Sequence, residues 1–197
     1  MSNKDLEKYK TLLTERLAPK RYHHSLCVAD EAKRLAEKYG ADGEKAYLAG
    51  LLHDITKNAS EEEHLNIFNT FGIMLNSVEK ITEKLWHAMS GSAYVKYVLQ
   101  IDDEEIYDAI RYHTTAKSNM SLLSLILYLA DFTSADRDYE DVDVMRTLVD
   151  KSLDEAFIYA LSYTVKEIVD KGGALHLDTI NAYNETVLKG KSINGYK

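Results

Sequence analysis

Apolar residues recur along almost the whole chain three and four positions apart, the spacing of one face of an α-helix. In the stretch 20–39, His24, Val28, Ala32 and Leu35 share a stripe, while Glu31, Lys33 and Lys38 fall on the opposite side. Similar stripes predict helices at about 4–18, 20–39, 43–57, 60–71, 77–84, 87–100, 103–114, 120–133, 141–150, 152–171 and 178–189. The punctuation agrees. Pro19 separates the first two helices, because a helix rarely runs through the residue before a proline. Gly40 suits a left-handed cap, and Asp42 and Ser60 are capping residues for the helices that follow them. Asp102, ahead of Asp103-Glu104-Glu105, is expected to open the seventh helix, and Gly172-Gly173 to close the tenth. The fold class read from this pattern is all-α. One domain is expected over 1–197, a helical bundle with its core at about 18–135 and C-terminal helices at about 141–190 packed on it. The stretch 133–142 is polar and loop-like, and the residues from Lys189 to Lys197 are polar enough to be expected disordered.

Six ionisable residues interrupt this pattern at inward positions. His24 lies on the stripe just described. In the third predicted helix Ala46, Ala49, Gly50 and His53 share a face, with Asp54 about 100° further round. Ile106, Ala109, Ile110 and His113 follow i, i+3, i+4, i+7, and Asp131 continues the face of Leu123 and Leu127. His87 precedes Gly91, Tyr94 and Val98 at compatible spacing. A lone inward histidine is more often a hydrogen-bonded core residue than a ligand, and an inward aspartate can simply pair with an arginine. Six together change the odds. Burying each unpaired costs several kcal/mol, and a metal is a strong common partner. Imidazole with carboxylate suits iron, manganese or zinc. Six groups exceed one tetrahedral zinc and suit two ions with a carboxylate between them. The remaining histidines read differently: His64, behind Glu61-Glu62-Glu63, as solvated surface; His23 as a surface residue or a support for the ligands; His176 as a cap or a substrate contact. Cys27 reads as a small core residue.

Composition narrows the setting. The 197 residues are 45% apolar, enough for a substantial core, and one proline with nine glycines leaves few hard breaks. With 24 basic against 32 acidic residues the net charge is -8, and no basic tract suggests nucleic-acid or anionic-membrane binding. A local phosphate site survives that balance, since bound cations can attract an anion. The single cysteine excludes an intrachain disulfide framework and fits a reducing cytoplasm. No signal-peptide core follows the polar start, and no apolar run approaches the ~20 residues of a membrane span.

The ordered set His24, His53-Asp54 and Asp131 resembles the HD-domain metal-dependent phosphohydrolase superfamily. The flanking words Arg21-Tyr22-His23-His24-Ser25-Leu26, Ala46-Tyr47-Leu48-Ala49-Gly50-Leu51-Leu52-His53-Asp54, Ala109-Ile110-Arg111-Tyr112-His113-Thr114-Thr115 and Tyr128-Leu129-Ala130-Asp131 are similar to the YqeK type. These are bacterial hydrolases that split diadenosine tetraphosphate symmetrically, and the likeness spans about residues 5–190. It implies the HD fold and a di-iron centre, with manganese or zinc as alternatives. His24, His53, Asp54 and Asp131 would hold one ion; His87 and His113 would complete the second, with Asp54 bridging. Asp54 and Lys57 would be the catalytic pair, although Lys57 also fits a surface residue at a helix end. Substrate contacts would come from His24, Lys57, His87, Arg111, His113, Thr114, Arg137 and His176, with Tyr112 and Phe132 as walls for a base. One departure stands out: Ser134-Ala135 occupies the place of a Glu-Pro pair common in the family, and a more mobile loop is expected there.

The implied partners are a small dinucleoside polyphosphate or a nucleoside diphosphate, with no nucleic acid and no membrane; a homodimer is left open. Two rival activities remain. One is another HD hydrolase, acting on nucleoside monophosphates or guanosine tetraphosphate. The other is a nucleotide-binding sensor without turnover.

Overall fold

A computed structural model describes residues 3–193, with side chains from 5 to 189. Eleven α-helices account for most of it: α1 (Asn3–Arg16), α2 (Pro19–Tyr39), α3 (Gly43–Leu52), α4 (Glu61–Phe71), α5 (Ser77–Ile81), α6 (Trp86–Ala93), α7 (Glu104–Tyr112), α8 (Leu122–Thr133), α9 (Val142–Lys151), α10 (Leu153–Asp170) and α11 (Leu177–Ile193). No strand occurs among the described residues. Pro19 is the first residue of α2, where its missing N–H costs nothing. Gly40 ends that helix at φ 77°, a conformation in which a side chain would strain the backbone. Asp42 caps α3 by accepting from the amides of Glu44 and Lys45. An Asp42→Ala chain is therefore expected to lose about 1 kcal/mol in urea unfolding, with the site unaffected.

The helices pack in the order that their apolar faces demand. α2 lies against α3 and α8, α7 against α3, α6 and α8, and α4 against α6. α9 and α10 cover α8, and α11 packs on α10. A continuous apolar core runs from Leu13 through Leu35, Leu52, Ile110, Leu127 and Tyr128 to Ala182. A smaller cluster of Phe68, Trp86 and Met89 sits under α4. No described helix is long and apolar enough to cross a membrane.

Several boundaries differ from the pattern-based reading. The third helix stops at Leu52, not residue 57. Residues 53–58 continue as tight turns, with Ile55 N–H bonding Leu52 O, Lys57 N–H bonding Asp54 O and Ala59 N–H bonding Thr56 O. The run predicted at 77–84 breaks after Ile81 into a 3₁₀ turn at Glu83–Leu85. The run at 87–100 is α-helical only to Ala93 and then widens into a π-turn over Tyr94–Val98, closed by Leu99 N–H to Tyr94 O. That wider turn keeps Val95 in the core while Tyr94 lies under the Arg16 guanidinium and Tyr97 stacks on Phe71. The residue capping α7 is Asp103, one position later than expected. The polar tail expected from Lys189 is helical as far as Ile193; residues 194–197 lie outside the described residues.

Candidate metal centre

Four elements and two connections bring the ionisable residues together. α2 supplies Arg21 and His24, one turn apart. The turns after α3 supply His53, Asp54 and Lys57; α6 supplies His87; the end of α7 supplies His113. The last turn of α8 supplies Asp131, and the loop beyond it Asp136 and Arg137. His53 still has helical dihedrals, φ -56° and ψ -36°, and the i→i+3 turns begin around it. Both side chains are buried, at 0% and 2% exposure.

His24 Nε2 lies 2.9 Å from Asp131 Oδ1, and His53 Nε2 lies 3.9 Å from that oxygen and 3.4 Å from Asp54 Oδ2. The other Asp54 oxygen, Oδ1, faces His87 Nε2 at 3.2 Å and His113 Nε2 at 3.8 Å. Asp54 thus stands between two groups of imidazoles and turns one oxygen to each.

The outer ring nitrogens fix which atoms face inward. His53 Nδ1 is 2.7 Å from Gly50 O, and His113 Nδ1 is 2.7 Å from Ile110 O. A carbonyl only accepts, so each Nδ1 carries the proton and each Nε2 presents a lone pair. His24 Nδ1 lies 2.8 Å from Asp136 Oδ2, which selects the same tautomer. His24 Nε2, His53 Nε2 and Asp54 Oδ1 are buried without a hydrogen-bond partner. Electron-rich atoms facing one another in a buried space are costly unless positive charge lies between them. A transition-metal cation with nitrogen and oxygen ligands meets that need. Ligand atoms of His24, His53 and Asp131, and of His53, Asp54 and His113, lie within 4.8 Å of one another. The donor set therefore fits a metal.

The electrostatics carry the same demand. Burial opposes charge on Asp54, yet the surrounding imidazoles, His53 first, hold its carboxyl well below the usual range. Asp131 is likewise pushed up by burial and pulled well below by the Arg137 guanidinium and His24. Burial pushes His53 down, but the Asp54 and Asp131 carboxylates outweigh it and raise its pKa. Burial takes His87 down to about 4, so it is a neutral acceptor at pH 7. Arg21 Nη1 bonds Asp54 Oδ2 at 2.8 Å, Arg137 pairs with Asp131, and Lys57 Nζ sits 3.0 Å from His87 Nε2 and 3.8 Å from Asp54 Oδ1.

All six residues expected to bind metal converge, with Lys57 and Arg137 beside them. Thr114 Oγ1 is buried next to His113 and has no hydrogen-bond partner. Arg111 and His176 are drawn elsewhere, to Glu79: Arg111 Nη2 lies 2.8 Å and His176 Nε2 3.3 Å from Glu79 Oε1. His176 Nδ1 also accepts from Asp178 N–H, so it does cap α11. Tyr112 lies under the cationic ends of Arg111 and Lys117, and Phe132 packs on Tyr128 and Tyr163. His23 is exposed. His64 is not on the surface: it is 7% exposed, with Nδ1 2.8 Å from Ser90 Oγ. Its place at i with Ile67 and Phe68 at i+3 and i+4 was the inward signal that the three preceding glutamates masked.

Sequence reasoning missed Arg21 and Asp136. The first was legible at i-3 from His24 on the same helix face. The second was not, because the bond to His24 spans 112 positions. Asp136 is itself held by Ser134 Oγ at 2.8 Å. The loop around it is braced by Arg146 Nη2 to Ser134 O and Arg137 O, and by Tyr139 Oη–H to Phe132 O. Removing a carboxylate that orients a metal-binding imidazole typically costs 10–100-fold in affinity. An Asp136→Ala chain is expected to bind manganese roughly 10–100-fold more weakly by titration calorimetry, with a smaller loss for Asp136→Glu. Equal affinity in all three chains would remove Asp136 from the site.

Residues 21–136 match the family model described as HD domain. The chain is 35% identical over 180 residues to the symmetrical bis(5'-nucleosyl)-tetraphosphatase of Halalkalibacterium halodurans, covering 91% of this chain and 96% of that protein. It is 34% identical over 170 residues to the protein of the same name from Bacillus subtilis, covering 86% and 91%. The crystal structure of a Clostridium acetobutylicum protein, described as a predicted HD superfamily hydrolase involved in NAD metabolism, superposes with a TM-score of 0.90 at 39% identity, covering 93% of this chain and 97% of that one. Family match, relatives and the convergent histidines and aspartates agree: this chain belongs to the HD-domain family, with the YqeK-type symmetrical bis(5'-nucleosyl)-tetraphosphatases.

Proposed function

We propose that this protein is a phosphohydrolase that splits diadenosine tetraphosphate and related dinucleoside polyphosphates symmetrically into two nucleoside diphosphates. The observation that carries this reading is Asp54, one oxygen facing His53 and the other facing His87 and His113. We infer two ions, iron ahead of manganese or zinc. His24, His53, Asp54 and Asp131 would hold one, and His87 and His113, sharing Asp54, the other. Such a pair supplies an activated water and neutralises charge on a phosphate oxygen.

The chain's own residues then position the substrate. Lys57 lies beside Asp54 and His87, where its ammonium meets a phosphate oxygen next to the centre. Arg137, paired with Asp131, does the same on the α8 side. Arg21 holds Asp54 in orientation. Thr114 Oγ1 offers a hydrogen bond beside His113. Arg111 and His176, both held by Glu79, would reach the substrate only by leaving that carboxylate. Tyr112 and Phe132 would wall its base. Positioning and charge stabilisation do most of the work, as in other phosphoryl transfers. The reading places the enzyme in the cytoplasm as one domain, acting on a small molecule without nucleic acid or membrane; its assembly, homodimer or monomer, is a separate measurement.

Product analysis decides the reaction. Metal-loaded protein incubated with diadenosine tetraphosphate is expected to yield ADP alone, two per substrate. ATP with AMP would place the cut at the wrong bond. Orthophosphate from nucleoside monophosphates would favour another HD activity, and tight nucleotide binding without turnover would favour a sensor.

A further inference from the structure

A dinucleoside tetraphosphate carries a nucleoside at each end, so a centre that cuts its middle needs room for a nucleoside on both sides. Two partly exposed cations flank the centre: Arg137 beside Asp131 and Lys57 beside Asp54. Lys57 and His87 also line a cleft of about 430 Å³. That volume falls within the range of small-molecule sites.

The cleft is built in layers. Its buried floor contains His64 and Trp86, at 7% and 5% exposure. Both are fixed: Trp86 Nε1–H donates to Glu79 O at 2.6 Å, and His64 Nδ1 meets Ser90 Oγ at 2.8 Å. Ser90 Oγ in turn meets Thr56 Oγ1, which donates to the main-chain oxygen of His87 at 2.9 Å. The floor is thus joined by hydrogen bonds to the residue that faces Asp54. At the exposed rim stand Lys84, Glu61 and Glu83. The order of chemistry from the centre outward is a cation at Lys57, a rigid aromatic floor, then one cation and two carboxylates. A phosphate chain, a flat base and ribose hydroxyls present the complementary groups, since carboxylates accept hydroxyl hydrogens and aromatic rings accept a base face or edge.

We propose that this cleft seats the second nucleoside diphosphate half of the substrate, with Lys57 and Lys84 on its phosphates and Glu61 or Glu83 on its ribose. The proposal rests on the tetraphosphatase reading above. It also gives a use to His64, a buried histidine that the metal centre leaves unemployed.

Equilibrium dialysis of the metal-loaded chain against ADP tests it. The wild-type chain is expected to bind two ADP. Ala59 lines the cleft at partial exposure, so Ala59→Trp fills the space and should reduce the count to one while raising KM for diadenosine tetraphosphate at least tenfold. Lys84→Glu changes only an exposed side chain and should weaken the second ADP about tenfold, a readout that holds even if the tryptophan variant does not fold. One ADP per wild-type chain would overturn the proposal, as would an unchanged second site in Lys84→Glu. A chain that makes ADP from the tetraphosphate but binds only one loses the cleft alone. A chain that makes none loses the tetraphosphatase reading itself.

Discussion

Asp54→Asn should abolish both metal retention and turnover. The amide keeps the size of the side chain but removes the charge that faces three imidazoles, and it puts an NH₂ donor where one oxygen stood. Losing a group that merely orients a ligand costs about 10–100-fold in affinity, so losing a shared ligand should cost more. Thermal unfolding offers a readout independent of activity. A metal present at a hundredfold its Kd stabilises the folded chain by about 2.7 kcal/mol. For a chain of this size that raises Tm by about 5–10 °C. The wild-type protein is expected to show this rise on adding manganese or iron, and Asp54→Asn to show none. Without metal the variant should melt below wild type, because the surrounding groups hold this carboxyl well below its usual range and the amide loses the ion pair with Arg21. A variant that kept its metal-dependent rise would show that Asp54 is not a ligand.

The second large effect belongs to Gly50. A Cβ at this position would lie 2.7 Å from Ala29 Cα and 2.9 Å from both Ala29 N and Val28 O. These are backbone atoms of α2, so relief requires α2 and α3 to move apart. Overpacking of a core typically costs 1–3 kcal/mol and occasionally more. The better helix propensity of alanine returns only about 1 kcal/mol. Because the clash is with backbone, the cost falls at the upper end of that range, and Gly50→Ala is expected to lose about 2 kcal/mol net in denaturant unfolding. Metal affinity should fall with it, since the Gly50 carbonyl accepts from His53 Nδ1. Gly43→Ala is the internal control: its new methyl meets only the flexible side chains of Glu37 and Lys33, and its stability should change by less than about 1 kcal/mol. If both variants behaved alike, close approach of the two helices would not be what requires glycine at 50.

What the sequence disclosed and what it hid divide along one physical line. Apolar periodicity and capping chemistry act within a few residues, so the stripe of His24, the cap at Asp42 and the αL end at Gly40 could be read directly. Inward histidines on separate helices could be recognised one at a time, and their number suggested a common site. The tight turns at 53–58 could not be read, because the apolar pattern of α3 runs into them without a break. Those turns carry His53, Asp54 and Lys57 into the site. Asp136 lay in a loop whose local composition says only that it is polar. His64 shares the inward face of Ile67 and Phe68, but the charge of Glu61-Glu62-Glu63 beside it imitates a solvated surface. Arg111 and His176 were recognised as unusual, but their common partner Glu79 sits among surface-like residues of a five-residue helix.

The most direct test is anomalous diffraction from crystals of the metal-loaded chain. Two peaks are expected: one about 2.0–2.2 Å from His24 Nε2, His53 Nε2 and Asp131, the other at similar range from His87 and His113, with Asp54 bound to both. Anomalous density absent from these side chains, or two ions that do not share Asp54, would contradict the account.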